Sequence, residues 1–234
     1  EQASQMFQQT IALMQESGEG RGGQEGIEDT VYFYIGRSLA AAGQGNAALE
    51  AYQRVVNELN PDYAWAYIGV GNIYYIEATK NPESLDKGLL NQALEAYNQA
   101  LKAPVRFAGA YVDAKAYVNI GNVYSLIAQA GEGEHYYTQA QHAYQEAIQL
   151  YEEADAPPRY KAKACYGLGI TYERLEDYQM AWKWYQCCTD NAEADPRLQS
   201  SCRERGKIVA PTPITLPTGI PTVEPTDTPL PLLP

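Results

Sequence analysis

The sequence predicts an all-α chain: a helical solenoid of four helix-turn-helix repeats, followed by an extended Pro/Thr-rich C-terminal tail. Three observations predict it. First, the segments VYFYIGRSL, AYIGVGNIY, AYVNIGNVY and ACYGLGITY share a glycine in one slot, at Gly36, Gly71, Gly121 and Gly169. Second, each is followed by a related segment (AALEAYQRV, QALEAYNQA, QAQHAYQEA, MAWKWYQCC). Its small residue recurs as Ala48, Ala93, Ala140 and Ala181, with Tyr52, Tyr97, Tyr144 and Tyr185 four places on. Both segment types carry the 3.6-residue period of an amphipathic helix, so each repeat is two helices joined by a turn. Third, the composition changes abruptly at Ala210 to APTPITLPTGIPTVEPTDTPLPLLP, a Pro/Thr run that prefers extended polyproline II and builds no core.

Taken in order, residues 1–28 comprise an N-terminal helix and a Gly-rich loop. The helix spans 3–15, with Met6, Phe7, Ile11 and Met14 on one side. Ala3 and Phe7 stand at the repeat's alanine–aromatic spacing, which reads as the second half of an incomplete repeat. The loop ESGEGRGGQEGIED carries turn residues and no period. The solenoid occupies 29–208, with repeats at about 29–62, 64–107, 114–154 and 162–195 and a capping helix over 197–205. A terminal repeat needs such a cap because its outer face is otherwise apolar. In the first repeat Tyr32, Ile35 and Leu39 line one helix, and Ala48, Tyr52 and Val55 the other. Gly36 is expected to face Ala48, since antiparallel helices approach closely where neither carries bulk. Glycine to alanine is 12 residues in the first and fourth repeats, but 22 in the second and 19 in the third. The difference predicts enlarged turns at about Ala78–Leu90 and Ala130–Tyr137. Residues 209–234 form the tail.

The charge balance excludes some functions. With 17 Lys and Arg against 29 Asp and Glu, the formal charge is −12. That is not the footprint of a nucleic-acid binder, nor of a basic patch for anionic lipid. No window holds the 18 consecutive apolar residues of a membrane-spanning helix. Tyrosine is abundant, 20 against 3 Phe and 3 Trp, which predicts many half-buried rings with the hydroxyl toward water or a partner. No nucleophile elbow, phosphate-cradling loop or His-Glu zinc helix occurs, and Cys165, Cys187, Cys188, Cys202, His135 and His142 do not fall at zinc-ligand spacing. The expectation is a non-enzymatic protein without cofactor or metal. The four clustered cysteines read either as buried thiols or as two disulfides; the disulfide pairing expected is Cys187–Cys202 and Cys165–Cys188. Disulfides require an oxidising compartment. The start at Glu1 reads either as a trimmed chain or as a mature, exported one, and the location expected is extracellular or cell-surface.

The repeat resembles the tetratricopeptide repeat (TPR), a helix-turn-helix unit of 34 residues. The first-helix pattern is carried by Tyr67, Val70, Gly71 and Tyr74 and by Tyr117, Ile120, Gly121 and Tyr124. The second-helix pattern is carried by Ala93, Tyr97 and Ala100 and by Ala140, Tyr144 and Ala147. The resemblance implies a right-handed solenoid whose first helices line a concave groove for protein partners. Transferred onto this chain, the groove slots are Phe33, Arg37, Trp65, Ile68, Asn72, Val118, Asn122, Tyr166 and Ile170. The family's peptide clamps use Lys, Asn and Arg here. Asn72 and Asn122 match the asparagine slot and Lys115 and Lys163 one lysine slot, but Ile68 and Val118 stand where another lysine is expected.

Two functions follow as expectations. One is an exported structural protein that self-associates, as in a filament, through its solenoid ends and its tail, the partner being copies of itself. The other is a cell-surface or periplasmic module recruiting a different protein or peptide in its groove. Ile214, Leu216, Ile220, Val223, Leu230, Leu232 and Leu233 are the tail's candidate docking residues, and its threonines candidate sites for O-linked sugars. LPTG at 216–219 resembles a wall-sorting signal, but no apolar helix or basic end follows it.

Overall fold

The structure, a computed structural model, describes residues 27–81, 84–104, 112–193 and 195–211. The N-terminal helix, most of the Gly-rich loop and the tail docking residues lie outside these. Nine α-helices run through the described residues as four hairpins and a cap. The hairpins are α1 (Ile27–Ala41) with α2 (Gly45–Arg54), α3 (Ala64–Ala78) with α4 (Lys87–Lys102), α5 (Val112–Gln129) with α6 (His135–Glu153), and α7 (Pro158–Arg174) with α8 (Tyr178–Asn191). The cap is α9 (Pro196–Val209), and a π turn, Val55–Leu59, prolongs α2.

Local chemistry sets the helix boundaries. Gly43 takes φ +75° after α1 and closes the turn with its N–H on the Ala40 carbonyl, the left-handed position where glycine carries no Cβ penalty. Asp86, Asp177 and Asp195 cap α4, α8 and α9, each accepting from the backbone N–H three residues on, at 3.0, 3.0 and 3.2 Å. Pro158 and Pro196 occupy first-turn positions, where the missing N–H costs nothing.

The extra residues of the middle repeats were expected to enlarge the turns. They lengthen the helices as well: α3 and α5 run to Ala78 and Gln129, and α4 and α6 begin at Lys87 and His135. Continued helix satisfies backbone hydrogen bonds that a long loop would leave to water. The added turns also contribute Leu90 and Ile127 to the core, and Lys87 pairs with Glu132 across the two hairpins.

The small residues differ from expectation in what they face. The nearest atoms to each repeat glycine belong to a tyrosine ring, not to the facing alanine. A Cβ on Gly36, Gly71, Gly121 or Gly169 would stand 2.7, 2.4, 2.7 and 2.5 Å from Tyr52, Tyr97, Tyr144 and Tyr185. The next hairpin presents a second glycine to the same ring: Gly69 to Tyr52 at 2.7 Å and Gly167 to Tyr144 at 2.3 Å. Tyr52 and Tyr144 are thus wedges between two first helices, and the glycines are the slots that hold them. In the third hairpin Asn119 takes the place of the second glycine, and its amide donates to Asn72 Oδ1 at 3.0 Å. Tyr97, Tyr144 and Tyr185 are almost wholly buried. Two hydroxyls donate to an asparagine one place beyond the glycine: Tyr97 to Asn72 (2.9 Å) and Tyr144 to Asn122 (2.8 Å). Tyr185 donates to Glu173, which Arg205 of the cap also grips at 3.0 Å.

The cysteines pair, but not as expected. Cys165 lies against Cys187 and Cys188 against Cys202, with Cα separations of 5.8 and 6.0 Å. Antiparallel packing of α7 and α8 brings both Cys187 and Cys188 near Cys165. Rotation about α8 decides between them, since adjacent helical residues point about 100° apart. Cys188 continues the buried Ala181–Tyr185 face and enters a cluster with Ala192 and Cys202, while Cys187 turns toward α7.

Candidate protein-binding groove

The first helices and the turn ends together line a cavity of about 620 Å³. On α1 the i, i+4 pair Phe33 and Arg37 shares a face, with Tyr34 beside it. On α3 the i, i+3, i+7 set Trp65, Ile68 and Asn72 does the same. Tyr63 enters from just before α3, Lys115 from α5, Tyr151 from the last turn of α6 and Tyr160 from the first turn of α7. Seven of the twelve lining residues are aromatic.

The rings support one another. Phe33 meets Tyr63 at 5.2 Å and Tyr52 at 5.9 Å between centroids, and Tyr151 stacks on Tyr160 at 5.9 Å. Arg37 lies over Tyr34 and Phe33, at 5.5 and 5.8 Å from the ring centres. Burial pushes the Tyr52 phenol up to about 12, partly opposed by Arg37. Burial and then the Lys163 charge hold the Lys115 ammonium below its ordinary range.

The charge of the groove opposes that of the chain. Among the described residues, Arg37 and Lys115 line the cavity, and no carboxylate does. A second depression of about 520 Å³ meets the first at Tyr160 and carries Arg159, Lys163 and Arg197. Its one acid among the described residues, Asp195, is committed to the Leu198 N–H as the α9 cap. A cationic strip therefore runs along an inner surface of a chain with formal charge −12.

Five of the nine groove slots named from sequence meet at the cavity: Phe33, Arg37, Trp65, Ile68 and Asn72. The other four lie elsewhere. Val118 is buried among Tyr144 and Leu168. The Asn122 carbonyl is taken by the Tyr144 hydroxyl. Tyr166 and Ile170 pack on the cluster that seats the cap. Asn72 lines the groove, but its Oδ1 accepts from both Tyr97 and Asn119. Tyr34, Tyr63, Tyr151 and Tyr160 were not singled out from sequence. They sit beside or outside the repeated slots, and the tyrosine excess was the only signal for them.

Residues 64–209 match the model of a family described as uncharacterized protein conserved in bacteria (DUF2225). No curated protein matches the chain in sequence. Among solved structures, the chain is similar to TTC0263, a thermophilic TPR protein of Thermus thermophilus. The TM-score is 0.57 at 19% identity, over 87% of this chain and 97% of that one. It is similar to the apo form of RapI, with a TM-score of 0.59 at 16% identity, over 86% of this chain and 52% of that one. It is similar to MamA, with a TM-score of 0.50 at 21% identity, over 79% of this chain and 91% of that one. These likenesses show the fold: a TPR-like helical solenoid.

Proposed function

Because the chain belongs to the DUF2225 family of uncharacterized proteins conserved in bacteria, we propose a function from its groove: a non-enzymatic TPR protein, exported, that self-associates through its tail and its solenoid ends. A TPR-like fold suggests a protein-interaction module. The observation that carries the finer reading is the aromatic-lined cavity, on a chain that also carries a Pro/Thr tail rich in aliphatics. Aromatic grooves take proline-rich segments well, because polyproline II is stiff before it binds and loses little entropy. The two ends of the described solenoid also differ, one carrying the hairpin of α1 and α2 and the other the capping helix. A contact between unlike ends propagates unless rotation closes it. Two cysteine pairs at disulfide distance suit an oxidising compartment, and so support export.

Sedimentation of the full chain and of a chain lacking residues 210–234 tests the reading. The full chain is expected to assemble at tens of micromolar and the truncated one to sediment as a smaller species. A full chain that stays monomeric overturns self-association and favours the recruiting module. Equal assembly of the two chains removes the tail from the contact.

A further inference from the structure

The groove differs from the rest of the molecule in sign. Seventeen basic residues face twenty-nine acidic ones in the whole chain, yet among the described residues the cavity wall holds two cations and no anion. Among the same residues, no carboxylate lies within ion-pair distance of Arg37, Lys115 or Lys163. Lys115 is half-buried, while Arg37 and Lys163 are exposed; cations without anions attract a negatively charged segment, and low-dielectric walls concentrate their field.

The tail carries the complement. Its only charges are Glu224 and Asp227, three places apart in Thr-Val-Glu-Pro-Thr-Asp-Thr-Pro. A polyproline II helix has three residues per turn and rises 3.1 Å per residue, so an i, i+3 pair stands on one edge about 9 Å apart. The same edge continues to Pro221 on one side and Leu230 on the other, giving two carboxylates between apolar neighbours. The wall offers the matching mixture, cations set among rings.

Resting on the self-association reading above, we propose that the groove's occupant is the acidic turn Val223–Pro229 of a neighbouring copy's tail, with Glu224 and Asp227 facing Arg37 and Lys115 and the prolines packed on the groove's rings. Val223 lies twelve places beyond Pro211, a reach of about 37 Å at the polyproline II rise. The tail meets a local field whose sign is opposite to the total.

Zero-length carbodiimide crosslinking of the full chain tests this, using a mixture of normal and 15N-labelled protein and peptide mapping. The expected product joins Lys115 or Lys163 to Glu224 or Asp227, between a labelled and an unlabelled copy. The Glu224→Gln/Asp227→Asn double variant leaves the solenoid untouched; it should abolish that product and weaken tail-dependent association about tenfold or more. Crosslinks at these residues within a single chain keep the groove assignment and sink the self-association reading. Tail-dependent assembly with tail crosslinks only to other lysines, or unchanged in the double variant, sinks the groove assignment and leaves self-association standing. The absence of any lysine–tail product overturns the proposal.

Discussion

Substituting Gly121 with alanine adds a single methyl group, and the structure decides its sign. On an exposed helix the change would stabilise by about 1 kcal/mol through helix propensity. Here the new Cβ would stand 2.7 Å from Tyr144 Cε1, 2.8 Å from Cδ1 and 2.9 Å from Cζ. The ring cannot retreat, because the Cβ position of Gly167 lies only 2.3 Å from Tyr144 Cζ on the next hairpin, and the hydroxyl is anchored on Asn122 at 2.8 Å. Either α5 and α6 must separate or the ring must leave its rotamer. Overpacking of this kind costs about 1–3 kcal/mol, with more in rigid sites. Two first helices share this wedge, so a value at the upper end is expected, outweighing the propensity gain by about 1–2 kcal/mol net. For a chain of this size that lowers Tm by roughly 2–8 °C. The control is Gly45→Ala at the start of α2, where the nearest atom is the flexible end of Glu77 at 3.1 Å; it should match or exceed the parent. The assay is thermal unfolding followed by circular dichroism at 222 nm. A Gly121→Ala protein that melts at or above the parent refutes the wedge and, with it, the stated reason for glycine in this slot.

Three further outcomes are expected. Asn72→Ala removes the acceptor of the Tyr97 hydroxyl and of the Asn119 amide, and should cost about 1–3 kcal/mol in urea unfolding; a cost below the scatter of surface variants would show that water serves as well. Non-reducing peptide mapping should return Cys165–Cys187 and Cys188–Cys202. Replacing Cys188 and Cys202 with alanine should cost about 3 kcal/mol for the 14-residue loop, while recovery of a Cys187–Cys202 peptide would contradict the rotation assigned to α8. Alkaline pH should destabilise the fold before backbone chemistry intervenes. Burial raises the phenols of Tyr52, Tyr97, Tyr144, Tyr151 and Tyr185, that of Tyr52 to about 12. In the unfolded chain they ionise near 10. Above that pH the folded state holds more protons, so the stabilisation is complete below about pH 10 and is lost as pH rises through the folded values. Urea midpoints that stay level from pH 9 to 11.5 would refute this.

Sequence alone determined the solenoid. Gly36, Gly71, Gly121 and Gly169 recur with Tyr52, Tyr97, Tyr144 and Tyr185 because every hairpin solves the same packing problem, and a repeated local solution leaves a repeated local pattern. The period of 3.6 residues then places these residues on one face without knowledge of any neighbour. What that face meets is not local. The partner of Gly121 proved to be a ring wedged from the next helix over, the choice of Cys188 for Cys202 depended on how far α8 is rotated against α9, and part of each middle insertion became helix because other helices were there to receive it. The groove shows the same division. Phe33, Arg37, Trp65, Ile68 and Asn72 were legible because they occupy repeat slots. Tyr63, Tyr151 and Tyr160 were not, because they lie at hairpin ends and reach the cavity only when the superhelix curls them inward. Net charge is a sum over the chain and carries no direction, so only the tertiary arrangement could gather Arg37, Lys115 and Lys163 around two adjoining depressions whose one carboxylate, among the described residues, is Asp195.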